Sequence, residues 1–210
     1  ENKGLISHKG TIVDATFVDA PRQRNSRDEN KKIKNGVIPE EWEKPENKSK
    51  LAQKDIDADW TKKNGERHFG YKDHVKCDAD SKLITNYSVT SASVHDSQRC
   101  LVFIGQEDEV LYADSAYSGK PIALALPENC KNQICEKGYR NSPLTSEQKM
   151  NNRRKSRIRC RIEQIFGFMT GAMHGITIRS IGITRAWMNI GITNLVYNFC
   201  RYSYLKGASA

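Results

Sequence analysis

Two hydrophobic periods alternate along the chain, and the switches between them mark its elements. Residues 11–18, Thr-Ile-Val-Asp-Ala-Thr-Phe-Val, are almost unbroken in β-branched, aromatic and small apolar side chains. That pattern predicts a strand buried on both faces, with Asp14 in its middle. Residues 68–77 and 83–90 are separated by the polar run Asp78-Ala79-Asp80-Ser81 and predict a β-hairpin. Residues 99–104 follow the capping chemistry of His95-Asp96-Ser97-Gln98 and stop at Gly105, which predicts a short helix. Val110-Leu111-Tyr112-Ala113 predicts a second buried strand that runs into Asp114, and residues 119–126, closed by Pro127, a second short helix. Gln133-Ile134-Cys135 is a weak last strand. From Ser146 the period becomes helical, with Ile158, Ile162, Ile165 and Met169 on one face, and residues 186–204 form a closing helix. The order strand, hairpin, helix, strand, helix, strand, long helix predicts an α/β fold: a mixed sheet flanked by helices.

Composition interrupts this pattern once. Between residues 21 and 67, 23 of 47 residues are charged and aliphatic residues are sparse, so the segment is expected as a solvated, partly flexible insertion after the first strand rather than a separate core. Trp42 and Trp60 could pin it locally. The rest of residues 1–210 reads as one domain.

Charge divides the chain more sharply than composition does. The net charge is +9, but residues 131–210 hold 14 Lys/Arg against 3 Asp/Glu while residues 1–130 are slightly acidic, so the basic excess is regional. A regional excess of this kind fits a polyanionic partner, nucleic acid first, because neutralised phosphates release counterions. Six scattered cysteines without a C-x-x-C pair argue against a zinc ribbon or a disulfide scaffold and fit a reducing cytoplasm. No run approaches the ~18 consecutive apolar residues of a membrane-spanning helix. The start Glu1-Asn2-Lys3-Gly4 has neither an initiator Met nor an apolar leader, so the chain is expected to continue a longer protein.

Three carboxylates carry the candidate chemistry. Glu163 is one of three acidic residues after position 130 and directly follows six cations in nine residues, from Arg153 to Arg161. One reading is an ordinary intrahelical ion pair, since Arg159 and Glu163 are four apart. Asp14 and Asp114 open another, because an aspartate within a buried strand is costly unless it is paired or holds a cation. Neither strand offers an adjacent Lys or Arg, which makes a shared hard divalent ion, Mg²⁺ or Mn²⁺, the economical account. Two such ions ~3.5–4 Å apart can clamp the attacking and leaving oxygens of a phosphodiester. Asp19 competes with Asp14 but ends the strand on its opposite face.

Five blocks in order give the chain a family resemblance. Ile12-Val13-Asp14-Ala15-Thr16, Gly70-Tyr71-Lys72-x-His74, Val94-His95-Asp96-Ser97, Ala113-Asp114-x-Ala116-Tyr117 and Arg159-x3-Glu163-x2-Phe166-Gly167 resemble bacterial DDE transposases of insertion sequence family five, over about residues 10–205. The resemblance implies a ribonuclease-H-like core with Asp14, Asp114 and Glu163 as catalytic and metal-binding triad. It implies cleavage of DNA at transposon ends, strand transfer to target DNA, and a homodimer in the DNA complex, in a bacterial cytoplasm at the nucleoid. Arg159 matches the arginine of the Tyr-x2-Arg-x3-Glu-x6-Lys signature, whereas Ser156 and Thr170 stand where that signature has Tyr and Lys. Arg153, Arg154, Arg157, Arg159 and Arg161, with Lys72 and His74, are the candidate DNA contacts. Relatives carry a helical DNA-binding region before this core, which the chain is expected to lack. The alternatives are a truncated or domesticated DNA-binding protein without cleavage, or a stand-alone nuclease of the same fold.

Overall fold

The computed structural model describes residues 4–63 and 65–208. β1 (Thr11–Asp19) is followed by the charged segment, which folds into α1 (Arg27–Lys34), α2 (Glu40–Glu43), α3 (Lys48–Ala52) and β2 (Asp59–Lys63). Then come β3 (Glu66–Asp78), β4 (Ile84–Ser91), α4 (Ser97–Phe103), β5 (Val110–Ala113), α5 (Lys120–Ala125) and β6 (Lys131–Asn132). Three helices close the chain: α6 (Ser146–Arg159), α7 (Arg161–Gly171) and α8 (Ile183–Ala208).

The sheet runs β2-β3-β1-β5-β6, with β4 also on β3. β1 pairs antiparallel with β3 and parallel with β5, so the sheet is mixed as expected, and its arrangement is consistent with a ribonuclease-H-like fold. β3 is long enough to pair with β2 over its first half and β4 over its second. The two pairings meet at Gly70, whose φ is +146° and where a Cβ would lie 2.3 Å from the Val18 carbonyl oxygen. Only glycine lets β3 pass β1 this closely.

Alternation along β1 builds the core on both faces. Ile12 joins Val75, Cys77, Ile162, Ile165 and Met169 under α7, while Val13 joins Cys100, Phe103, Tyr117 and Ile122 under α4 and α5. Period two therefore turns Asp14 to the same side as Ile12, toward the α6–α7 junction, and Asp19 to the other. A third cluster, with Phe69, Tyr71, Val89, Ala186 and Ile190, seats α8 on the hairpin.

Three features differ from the sequence expectation. The 21–67 segment is pinned locally as expected, with Trp42 fully buried and its indole N–H donating to Glu29 (2.7 Å), but it is also tied to the rest of the fold: the Tyr71 hydroxyl donates to Asp55 (2.7 Å), and Asp57 accepts the Ile183 N–H that opens α8 (2.8 Å). The helix expected to run unbroken through residues 158–169 is divided at Cys160, whose thiol donates to the Arg157 carbonyl (3.2 Å) and so competes with the helical ladder. The last strand is only two residues long, although Gln133 and Cys135 continue to bond the β5 backbone. All six cysteines are free thiols, and among the described residues no helix is long and apolar enough to cross a membrane.

Candidate active site

Parallel pairing brings the two aspartates level. Val13 lies beside Ala113 in the β1–β5 register, so the next residue on each strand is Asp14 and Asp114. Asp114 ends β5, accepts the Ser115 N–H (2.6 Å) and thereby caps the short turn Ser115–Tyr117. Asp14 accepts the Ala15 N–H (2.8 Å).

The third carboxylate arrives on α7. Glu163 is in its first turn, three residues past the break at Cys160, and Arg159 ends α6 on the other side of that break. The Arg159 guanidinium spans the gap: Nη1 donates to Asp14 Oδ2 at 2.9 Å and Nη2 to Glu163 Oε1 at 2.8 Å. The intrahelical ion pair weighed from sequence is therefore present, and the same arginine also reaches the strand. Asp14 thus has a cation after all, supplied by a residue 145 positions away, where sequence neighbours offered none.

The electrostatics of the group follow from this geometry. Burial lifts the Asp14 carboxyl above its ordinary range, against the pull of the Ala15 N–H, Arg159 and Lys63, while Asp114 adds to the rise. Burial works against the charge of Arg159, but Asp14, Glu163 and Asp114 together hold its pKa above the usual value. All three carboxylates thus act on one guanidinium. Arg159 Nε is buried without a hydrogen-bond partner, a further polar atom left open in the site. The donor set is entirely carboxylate oxygen, the chemistry a hard divalent ion takes, and a guanidinium now stands between two of the donors as a counter-cation. By type the donors fit such an ion, although among the described residues these three carboxylates do not bring their oxygens within 4.8 Å of one another.

The other predicted residues fall into three groups. Arg153, Arg154 and Arg157 are exposed on α6, which buries no residue, because their spacing gathers them on its outward side. Lys155 and Arg159, four apart, point inward, Lys155 donating to the Ile134 carbonyl (2.9 Å). Arg161 is tied to the Ala79 carbonyl (2.7 Å) and Asp80 (3.0 Å). Lys72 is largely buried, its ammonium donating to Asp96 (2.8 Å) and the Val94 carbonyl (2.6 Å). That pair, not a side-chain cap, is the role of Asp96, since it makes no capping bond to α4. His74 is fully buried against Thr90 (2.8 Å), and burial pushes its pKa down to about 4. It has no surface to offer DNA: β3 is covered on both faces from Phe69 to Asp78, so alternation exposes neither side. Thr170 bonds back to its own helix at the Phe166 carbonyl (2.9 Å).

Two features were not anticipated. Lys63, at the end of β2, acts on Asp14 and lies over the Phe17 ring (5.6 Å to its centroid), which no local pattern in the insertion announces. Among the described residues, the one close triplet of His, Asp and Glu ligand atoms is His8, Glu107 and Asp108, at the other end of β1. There Lys76 already neutralises Asp108 at 2.7 Å.

Comparison with known proteins gives the chain a family. The chain is similar to the transposase for insertion sequence element IS1106 of Neisseria meningitidis serogroup B, 31% identical over 174 residues, which cover 79% of this chain and 56% of that protein. The chain thus spans about half the length of that curated relative. No solved structure matches it. The family model of the transposase DDE domain matches residues 6–199, which include both aspartates, Arg159 and Glu163, and the chain belongs to that family.

Proposed function

We propose that this chain is the catalytic core of a bacterial insertion-sequence transposase, of the family-five type that its five sequence blocks resemble. It acts on DNA in the cytoplasm, at the nucleoid, and pairs with a second copy in the DNA complex. The observation that carries the reading is the convergence of Asp14, Asp114 and Glu163 on the Arg159 guanidinium from three separate elements. An isolated helical ion pair would need neither strand.

Asp14, Asp114 and Glu163 would hold Mg²⁺ or Mn²⁺, which supplies Lewis-acid activation of the oxygens that enter and leave phosphorus. The chain's own residues do the rest. Asp14 is fixed by β1, by the Ala15 N–H and by Arg159, so its carboxylate is pre-oriented. Arg159 neutralises the group in the absence of an ion, and its guanidinium would be available to a phosphate oxygen of the substrate. Arg153, Arg154 and Arg157 hold the DNA backbone along α6 without reading sequence. Hydrolysis of a phosphodiester at the element's end frees a 3′-hydroxyl, and that hydroxyl displaces a phosphodiester oxygen in target DNA by transesterification.

The test uses duplex DNA carrying the terminal repeats of the element that encodes the chain. Nicking that requires Mg²⁺ or Mn²⁺, followed by joining of the freed strand to a second duplex, is the expected result. Nicking without joining would leave a nuclease, and DNA binding with no metal-dependent cleavage would leave a binding protein; either overturns the reading.

A further inference from the structure

The charged insertion carries a cleft that the carboxylate chemistry does not use. It has a volume of about 460 Å³ and is lined by Gln23, Asn25, Arg27, Asn30, Trp60 and Arg67. Two guanidinium groups, three amides, one indole and, among the described lining residues, no carboxylate make a surface for an anionic ligand that also has a flat face and a polar edge. A nucleotide has all three parts.

The polar groups narrow the choice. Gln23 Oε1 is buried and accepts no hydrogen bond among the described residues, so the cleft wants an N–H donor, which a base edge supplies and a bare phosphate does not. The neighbouring amides are already held: Lys54 donates to Asn25 Oδ1 (2.5 Å) and Asn25 Nδ2 donates to Asn30 Oδ1 (3.2 Å). Trp60 is fixed from one side by Phe69, 5.1 Å between ring centroids, and the planar Arg22 guanidinium stands 5.8 Å from its own centroid. A planar cation over an indole occupies the place a stacked base takes.

The position fits a strand that also reaches the carboxylates. Trp60 pairs with Phe69 and packs in one cluster with it and Val18. Val18 lies four residues beyond Asp14 on β1 and so on the same face of the sheet, about 13 Å away at the usual strand rise. Lys63, at the end of the same β2 strand, acts on Asp14.

We propose that this cleft is a nucleotide-binding site, through which the insertion grips one DNA strand beside the catalytic carboxylates. Trp60 backs the base, Gln23 and the asparagines meet its edge, and Arg27 and Arg67 take the flanking phosphates. The proposal rests on the DNA reading above and adds a second point of contact, remote from α6.

The test uses a 12-nucleotide single strand containing 5-iododeoxyuridine and the whole chain. Irradiation is expected to crosslink the strand to Trp60. Replacing the exposed Arg27 and Arg67 together by Ala lowers the slope of log affinity against log salt by about 1.4, at ~0.7 per phosphate contact for single strands. Gln23→Leu weakens binding roughly 3- to 10-fold, the worth of one hydrogen bond, with no change in slope. Thermal unfolding of each variant verifies that it is folded. If the unaltered chain binds DNA, but Trp60 takes no crosslink and a folded Arg27→Ala/Arg67→Ala variant keeps its slope, the cleft proposal is overturned and the DNA reading stands. If the unaltered chain binds no DNA, both fall together.

Discussion

Asp73 on β3 is fully buried, and among the described residues its carboxylate takes a hydrogen bond from Asn194 Nδ2 at 3.3 Å. Asp73 Oδ2 and Asn194 Oδ1 both lack partners. Burial pushes the carboxyl up to about 7, against the pull of Asn194. The folded chain therefore binds a proton that the unfolded chain releases near 3.8. Stability from this group is full below about 4 and falls as pH rises to about 7. Three pKa units correspond to about 4 kcal/mol, all of it missing above pH 7. Its neighbour His74 has the opposite sign. Burial lowers its pKa from 6.5 to about 4, so its contribution is full above 6.5 and is lost as pH falls to about 4.

Between pH 4 and 6.5 the two groups nearly cancel, and Asp73→Asn separates them. Asn has the shape of the protonated acid and its amide can donate to Asn194, so the variant should be more stable than the natural chain at pH 8 by about 4 kcal/mol on the linkage scale. The gain should vanish near pH 4. The variant's own stability should climb by about 1.4 kcal/mol per pH unit between 4 and 6.5, the unmasked His74 slope. Denaturant titrations at pH 4.5, 6 and 8 measure all three quantities. A variant less stable than the natural chain at pH 8, or equally shifted at pH 4.5 and 8, would refute the protonated, buried Asp73.

Other outcomes follow from the same structure. Asp114→Asn should abolish metal-dependent cleavage and leave DNA affinity within about 2-fold, because phosphate contacts elsewhere carry affinity; cleavage at an undiminished rate would remove Asp114 from the site. Replacing Arg153, Arg154 and Arg157 together by Ala should weaken binding to all sequences alike and lower the duplex salt slope by up to about 2.7, at roughly 0.9 per contact. An unchanged slope would move the DNA path off α6. Arg159→Lys keeps a charge but cannot span Asp14 and Glu163 as a fork, so cleavage should fall on the order of 100-fold, as for a misplaced catalytic group, with affinity nearly kept. Trp42→Ala removes a fully buried indole, a change typically costing ~3–5 kcal/mol. Hydrogen exchange should then rise across residues 27–52 while β1 and β3 stay protected, and uniform loss of protection would mean the insertion is integral to the core.

What could be read from the sequence was whatever local pattern decides. The β1 run, the β3–β4 hairpin, β5 ending at an aspartate and the period of Ile158, Ile162, Ile165 and Met169 all announce themselves in their own residues. The packing of the 21–67 segment does not. Its anchors are single residues whose partners lie far along the chain: Asp55 with Tyr71, and Asp57 with the first turn of α8. A composition count sees only charge there. His74 was misplaced for a related reason, since a strand residue's exposure depends on whether a second layer covers its face, and β3 is covered on both.

For Arg159 the sequence shows one contact, the pair with Glu163, and hides another. The i, i+4 relation to Glu163 was visible, but no pattern within α6 could reveal that the same guanidinium reaches Asp14. The break at Cys160 separates Arg159 from Glu163 by helix, so the pair spans two elements instead of decorating one. A carboxylate as buried as Asp14 cannot stay charged without a partner. An arginine is the partner that can keep it charged, because its own pKa is too high for burial to discharge it. A lysine so placed could lose its proton and leave Asp14 to take one up. The arginine therefore favours the anionic form of Asp14, the form that the proposed metal site would need.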